Sequence, residues 1–271
     1  MLALPEFLSM RPARLLTAAI AALAVCAIAR PVMAEPATLN VRYQVLYGGI
    51  RAASVDVEIK LAESSYEIVT ASVTEGLMGW MTGFRSRAES RGALTSNGAT
   101  LTSHRADNVW RGDKRFVRIA PAADGTMTAE VSPPPEKDER DPIRPEQTTG
   151  TLDPMSAALR AVLALGRNGI CDQRVPVYDG RRRYDMVFDG TANDTVAGPH
   201  YSGPALRCRY VTDRIAGFSR RPFFEEPDKP PESRVWVASL DPRLPPIPVR
   251  LEIDSSIATT MVHLERYSIA P

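Results

Sequence analysis

The sequence is poor in the residues on which several common biochemical functions depend. Its 271 residues include only three cysteines and three histidines, and the formal net charge is +1. A chain so close to neutral lacks the basic surface typical of nucleic-acid binding. The histidines, His104, His200 and His263, are far apart, and none has a second metal ligand at zinc-site spacing. We therefore expect no metal, no cofactor and no nucleic-acid partner.

Sequence motifs of the common enzyme classes are missing as well. The chain has no nucleophile elbow, no phosphate-binding glycine loop and no dinucleotide-binding glycine pattern. Carboxylates are plentiful, but a single sequence does not show which of them meet in space, so a carboxylate-dependent hydrolase stays open as an alternative. We assign no catalytic residue and favour a non-catalytic protein.

Long apolar runs are missing except near the N-terminus, where residues 15–29 are apolar and rich in alanine. Arg11 and Arg14 precede this run, and small or aliphatic residues follow it at positions 32–34. This arrangement is typical of a secretory signal peptide cleaved after Ala34. The run is shorter than the roughly 20 residues of a spanning helix.

We therefore predict a signal peptide at residues 1–34 and a single exported domain at residues 35–271, with no transmembrane segment after cleavage. Two alternatives stay open for the N-terminus. An uncleaved signal would tether the protein to the membrane, and a lipid on Cys26 would anchor it there.

Two cysteines remain after cleavage, Cys171 and Cys208. Exported proteins enter an oxidising compartment, where an even pair of cysteines favours a disulfide. Such a bridge would stabilise the fold by roughly 4 kcal/mol on chain-entropy arithmetic. The alternative is a pair of buried free thiols.

Most of the chain alternates apolar and polar residues with a period of two. In SVDVEIK, Val55, Val57 and Ile59 share one face, and VRYQVLY shows the same alternation. Gly48-Gly49 between these segments predicts a two-residue hairpin turn. Further short segments of this kind continue to Ser268, separated by turn residues, which is typical of an antiparallel β-sandwich or barrel.

One segment departs from this pattern. GTLDPMSAALRAVLALGRNG has a helical period, with Asp153 as N-cap and Pro154 at the first helical position. We predict a helix at about residues 153–166, and loops in the proline-rich stretches 132–150 and 221–233. The predicted fold is mainly β: an antiparallel barrel, half-barrel or spiral sheet with one packed α-helix.

The apolar stretch EGLMGWMTGF, residues 75–84, is the first candidate for a functional surface. Its glycines make it turn-like, and an apolar loop on a β scaffold either tucks under the barrel or presents a contact surface. Tryptophan and methionine suit acyl chains and adaptable partners. The predicted ligand or partner contacts are Leu77, Met78, Trp80, Met81 and Phe84.

The second candidate is YDGRRRYDMVFDG, residues 178–190. Asp179-Gly180 predicts a two-residue hairpin turn, which puts three arginines at its rim. Guanidinium groups there would contact a carboxylate or phosphate, or form ordinary surface ion pairs. The minority hypothesis is an anion contact at Arg181, Arg182 and Arg183. We expect their replacement by glutamine to leave folding intact.

Several segments together carry a family resemblance: YQVLYGGIRAASVDVEI, GLMGWMTGFRSRAES, GTLDPMSAAL, YDGRRRYDM, RCRY and RIAGF. Their order resembles an exported bacterial family of unknown function, DUF3108, from about Val41 to the C-terminus. The resemblance implies a periplasmic, largely β-sheet protein of a Gram-negative cell. It brings no established catalytic residues, so none is carried over.

Three functions are compatible with these features. The first is a non-catalytic envelope protein that binds an apolar or amphipathic, lipid-like ligand in or at a curved sheet. The second is a structural or assembly factor that docks another envelope protein. The third is a hydrolase on a β scaffold without recognisable motifs.

Overall fold

The structure is a computed structural model that describes residues 37–134, 140–219, 233–255 and 258–270. The predicted signal peptide, its cleavage site after Ala34 and the lipidation candidate Cys26 lie outside the described residues. The same holds for most of the loop predicted at 221–233 and for residues 135–139 of the loop predicted at 132–150. These predictions, and the division into signal peptide and domain, stay predictions.

The described residues form one antiparallel sheet of thirteen strands with two α-helices. The helices are α1 (Gly76–Thr82) and α2 (Pro154–Asn168). The strands are β1 (Ala37–Tyr47), β2 (Ile50–Leu61), β3 (Ser65–Thr74), β4 (Arg85–Thr95), β5 (Gly98–Trp110), β6 (Asp113–Pro121), β7 (Met127–Ser132), β8 (Gln173–Tyr178), β9 (Arg183–Ala197), β10 (Ser202–Ala216), β11 (Ser233–Ala238), β12 (Ile247–Ile253) and β13 (Thr260–Ala270).

The strand order is β7-β6-β5-β4-β3-β2-β1-β13-β12-β11-β10-β9-β8. Every strand therefore pairs with its sequence neighbours, except that β1 pairs with β13 in the middle of the sheet and β7 and β8 form the two edges. The sheet curls into a nearly closed barrel, and α2 packs between the edge regions, against β5 and β8. The predicted fold class, a mainly β antiparallel barrel with a packed helix, is confirmed.

Side-chain packing, rather than a strand ladder, joins the two edge regions. Ala157 and Ala161 of α2 are buried in one cluster with Val175 and Val177 of β8 and with core residues of β5 and β6. The tip of the β8–β9 hairpin reaches β6 and β7: a Cβ atom placed on Gly180 would lie 2.7 Å from Val117 Cγ1.

A disulfide joins the residues that follow α2 to the sheet. Cys171 and Cys208 are bonded, with their Cα atoms 5.6 Å apart, and both are buried beside Leu165 and Val235. The predicted disulfide is confirmed. Because Cys208 belongs to β10, the bridge fixes the end of α2 to the inside of the sheet.

Among the described residues, local structure differs from the sequence predictions at the end of α2, in segment 75–84 and at the β8–β9 turn. The helix predicted at 153–166 continues to Asn168, because Gly169 supplies the left-handed C-cap. The segment predicted as an apolar loop, 75–84, contains a helix. The β8–β9 turn has four residues rather than two, because the Asp179 carboxylate accepts hydrogen bonds from the Arg181 and Arg182 backbone N–H groups and Tyr178 pairs with Arg183.

Candidate functional site

Two glycines allow the apolar segment between β3 and β4 to form a helix close to the sheet. A Cβ atom on Gly79 would lie 2.8 Å from the carbonyl oxygen of Thr74, so only glycine permits this approach. Gly83 ends α1 in the left-handed conformation, with φ of 52°, and donates its N–H to the carbonyl of Gly79. Helix α1 is therefore a short, tightly capped element.

Hydrogen bonds hold α1 to β3 and to the β5–β6 turn. The Thr82 hydroxyl lies 3.0 Å from that of Thr74, and the Phe84 N–H donates to the Thr74 hydroxyl over 3.1 Å. The Arg111 N–H donates to the carbonyl of Thr82 over 2.9 Å, which ties the β5–β6 turn to the helix. Thr82 itself is buried, so α1 has a fixed inner face.

The outer face of α1 is apolar and exposed. Trp80 is 85 % exposed and Leu77 is 66 % exposed, while Met78 and Met81 are exposed to a lesser degree. Phe84 is half-buried and packs its ring against Trp110, with centroids 6.0 Å apart. The structure thus places four of the five predicted contact residues in solvent; their role as contacts stays a prediction.

Other turns at the same end of the barrel also expose apolar side chains. The β1–β2 turn carries Ile50, which is 71 % exposed, and Tyr47, and the β5–β6 turn begins after the exposed Trp110. These turns lie beside α1 because alternate connections of an antiparallel sheet meet at one end. We call this end of the barrel, with α1 and these two turns, the apolar end.

A groove of about 590 Å³ runs between α1 and the β5–β6 turn. Apolar side chains and two arginines line it together: Trp80, Met81, Phe84, Val109, Arg85 and Arg111. We call it the α1 groove. A groove that combines apolar surface with guanidinium groups can hold an amphipathic anion, with its apolar part on the tryptophan and its charge on an arginine.

Two acidic residues near the start of α1, Glu75 and Glu265, form ion pairs with arginines. Glu75, the N-cap position of α1, forms an ion pair of 3.2 Å with Arg51, and Arg51 also binds Glu265 at 2.8 Å. Desolvation opposes ionisation of Glu265, but the hydrogen bonds and charges of Arg51 and Arg42 hold its pKa below the ordinary value. By contrast, Arg85 and Arg111 form no ion pair within the part of the chain that the structure describes.

Arg111 has an unusual backbone conformation. Its φ is +51°, which makes it the one non-glycine residue with positive φ among the described residues. With Gly112 at φ of +88° it forms a two-residue hairpin turn, where asparagine, aspartate or glycine would fit with less strain. Left-handed arginine costs on the order of 1–2 kcal/mol, and such outliers concentrate at functional positions. The sequence feature that could have indicated this site is therefore an arginine at a turn position where asparagine, aspartate or glycine is usual.

The three arginines of the β8–β9 turn are occupied by the protein's own acceptors. Arg181 donates to the carbonyl of Pro133 over 2.7 Å, and Arg182 binds the Asp179 carboxylate at 2.8 Å. Arg183 is nearly buried and forms an ion pair with the buried Asp185. The anion contact at Arg181, Arg182 and Arg183 stays a prediction, and any such anion would compete with these acceptors.

A buried polar cluster at the start of α2 was not expected from the sequence. Asp153, Ser90 and Ser156 have no exposed surface. Asp153 accepts a hydrogen bond from Ser90 at 2.6 Å, and it lies 3.2 Å from Nδ1 of His104. Tyr66 of β3 donates to Ser156 over 2.6 Å.

This cluster attaches α2 to β3, β4 and β5. Burial alone would raise the pKa of Asp153, but hydrogen bonds from His104, Ser156 and Ser90 hold it below the ordinary value. The Ser90 hydroxyl donates a hydrogen bond to a carboxylate that also caps the helix, and the cluster is buried. Its chemistry is therefore that of an anchor for the helix.

In the described ranges, no three histidine, cysteine or acidic side chains come together as a metal site. Neither described helix combines the length and the apolar character needed to cross a bilayer.

The chain was compared with curated proteins, with solved structures and with protein-family models. A search of curated proteins found no match. Among solved structures, the chain is similar to a beta-barrel-like protein of domain of unknown function DUF1849 from Brucella abortus, with 10 % identity and a TM-score of 0.49, over 87 % of this chain and 98 % of that chain. The model of the family described as protein of unknown function, DUF3108, matches residues 42–265. The protein therefore belongs to the DUF3108 family.

Proposed function

We propose that the protein is an exported, non-catalytic component of the cell envelope that attaches its apolar end to an amphipathic partner. The observation that carries this proposal is Trp80, 85 % exposed on a helix whose inner face is fixed by hydrogen bonds. Water-exposed tryptophan, leucine and methionine on a rigid element are unfavourable in an isolated protein and typical of an interaction site.

The interior of the barrel offers less support for ligand binding. Helix α2 occupies the space between the sheet edges, and an apolar cavity beside it and the disulfide has a volume of about 70 Å³. Small-molecule sites usually have roughly 300 Å³ or more. A lipid would fit in this cavity only if α2 moved, and the disulfide and the Asp153 cluster both oppose that movement.

The disulfide supports the exported location. Bonds of this kind persist in oxidising compartments and are rare in the bacterial cytosol. The Cys171–Cys208 bond is buried, so it acts as a structural bridge. Export, with cleavage after Ala34, is thus part of this proposal, and N-terminal sequencing of the protein recovered from the envelope would test it.

The attachment is tested by site-specific photo-crosslinking in intact cells. A photoreactive phenylalanine analogue replaces Trp80 in one variant, and the matched control carries it at Asn97, an exposed turn residue at the opposite end of the barrel. We expect one defined adduct, of lipid or of a single protein, from position 80 and none from position 97. Equal labelling at both positions, or no adduct at position 80, would overturn the proposal.

A further inference from the structure

We infer that the partner of the apolar end is a membrane surface of anionic phospholipid, with the α1 groove binding headgroup phosphates. This inference rests on the proposed function and names the partner. In this arrangement the outer side chains of α1 enter the boundary between headgroups and acyl chains, and Arg85 and Arg111 bind the phosphates beside them.

The distribution of side chains over several turns favours a lipid surface. Exposed apolar side chains come from α1 and from the β1–β2 and β5–β6 connections, all at one end of the barrel. A fluid lipid surface contacts neighbouring protrusions together without a complementary pocket. Tryptophan is also the residue most suited to the membrane–water boundary, since its ring is apolar and its N–H is polar.

The strand register places cations among these apolar side chains. Val73 pairs with Arg85, Arg85 pairs with Val109, and Val109 pairs with Lys114. Directly opposed residues point to the same face of a sheet, about 5 Å apart. A row across β3 to β6 therefore alternates apolar and basic residues, and Val109 and Arg85 of this row line the α1 groove.

The balance of charge at this end matches an anionic surface. Arg85, Arg111 and Lys114 form no ion pair within the described residues, whereas Glu75 and Glu265 are held by their own arginines. Asp113 offsets one of these positive charges. Each basic residue near an anionic leaflet strengthens binding about fivefold. The net positive charge that remains should therefore strengthen membrane binding on the order of tenfold or more.

Apolar insertion and electrostatic attraction are both needed, because either one alone binds a membrane weakly. Helix α1 has seven residues and exposes four large apolar side chains, which is a small anchor. Stable attachment to a membrane usually takes an apolar insertion together with a basic patch. The positive φ of Arg111 fits this requirement, because a basic residue occupies a strained turn position that lines the α1 groove.

The test is sedimentation of the purified protein, in the processed form that cells produce, with lipid vesicles. One set of vesicles is phosphatidylcholine alone, and the other is an equimolar mixture of phosphatidylcholine and phosphatidylglycerol. We expect roughly tenfold or stronger binding to the mixed vesicles, falling as salt screens the charges. Urea unfolding of every variant shows whether it is folded before binding is compared.

Two pairs of variants separate the two signals. Trp80→Ser should lower binding to the mixed vesicles at least about fivefold, while Ile170→Ser, an exposed apolar residue outside the apolar end, should not change it. Arg85→Gln with Arg111→Gln should remove most of the preference for phosphatidylglycerol. Arg144→Gln with Arg167→Gln makes the same charge change elsewhere on the surface and should preserve the preference.

The outcomes distinguish this inference from the proposed function. Equal binding to both kinds of vesicle, or preference unaffected by the Arg85 and Arg111 substitutions, would overturn the role of the groove. No vesicle binding, together with a protein adduct at position 80 in cells, would mean that the partner is a protein: the lipid inference would then be wrong and the proposed attachment would stand. No binding and no adduct would overturn both.

Discussion

The hydroxyl of Ser90 on β4 donates to the carboxylate of Asp153, the N-cap of α2, across 2.6 Å, and neither side chain has any exposed surface. The same carboxylate accepts the backbone N–H of Met155 over 2.9 Å, so one buried group both starts the helix and attaches it to the sheet.

Asp153→Asn should therefore destabilise the protein by about 3 kcal/mol. The substitution keeps a capping oxygen but removes the charge that Ser90, Ser156 and His104 are arranged to satisfy, and buried donors without an acceptor are costly. Urea unfolding monitored by circular dichroism measures the loss. Asp172→Asn, at an exposed position, is the control and should change stability by less than about 0.5 kcal/mol. Equal effects of the two changes would contradict the anchoring role.

The contribution of Asp153 should also depend on pH. Its pKa is lower in the folded protein than the roughly 3.9 of an unfolded chain, so its stabilisation is complete above about pH 5 and is lost as the pH falls toward the folded pKa. Other carboxylates titrate in the same range, so the quantity to measure is the difference in unfolding free energy between wild type and Asp153→Asn. That difference should shrink steadily from pH 5 to more acid conditions; a constant difference would rule out this linkage.

The hairpin tip that joins the sheet edges gives a stability test with a closely matched control. Gly180→Ala places a methyl group against Val117, while Gly125→Ala places one in open space, and the two glycines have almost the same φ, +84° and +82°. Both variants therefore carry similar backbone strain, and they differ in the packing around the added methyl group. We expect Gly180→Ala to lose about 1–3 kcal/mol more than Gly125→Ala in urea unfolding. Similar losses would show that the hairpin tip is loosely packed.

The arginines of the same hairpin should differ sharply from one another. Arg182 has an exposed side chain, whereas that of Arg183 is 11 % exposed and is paired with the buried Asp185. Arg183→Gln should cost about 1–3 kcal/mol, because it removes one of the two arginines that compensate this carboxylate. Arg182→Gln should change the free energy of unfolding by less than about 0.5 kcal/mol. If both variants were as stable as wild type, the sequence-based expectation that these arginines are dispensable for folding would be supported for Arg182 and Arg183.

Removal of the disulfide should lower stability by about 2–5 kcal/mol. The double variant Cys171→Ser with Cys208→Ser measures this loss by urea unfolding, and a reducing agent should destabilise the wild type at high urea while leaving the double variant unchanged. Alkylation before reduction, followed by mass spectrometry, gives the thiol count directly. Two alkylated cysteines in the unreduced protein would contradict the bridge.

The sequence predicted the elements of the fold well because alternate residues of many strands face the core and the solvent. Val55, Val57 and Ile59 lie together in β2 as their alternation predicts, and Gly48-Gly49 forms the two-residue turn between β1 and β2. The helix at Asp153 was found from its cap and its proline. Local rules of this kind depend on neighbours in sequence, which a single chain displays.

The features that the sequence did not reveal depend on contacts between residues that are far apart in the chain. The meeting of Ser90, His104 and Asp153 follows from the packing of α2 across the sheet, and no spacing rule links these positions. Helix α1 was read as a loop because its glycines have low helix propensity; contact with Thr74 and the bond to Arg111 override that preference. Arg85 and Arg111 join the candidate site only through strand register.

The position of β13 between β1 and β12 has a consequence for the order of events in folding. Arg42 and Glu265, which bind each other at 3.0 Å, are 223 positions apart, so the first strand obtains its second neighbour only from the last one. Until β1 and β13 pair, β1–β7 and β8–β13 can form two separate ribbons, and each exposes an unpaired strand edge where the other will join. We expect such a chain to fold slowly and to be open to proteases and to aggregation in the interval, because the β1–β13 pairing joins residues far apart in the sequence.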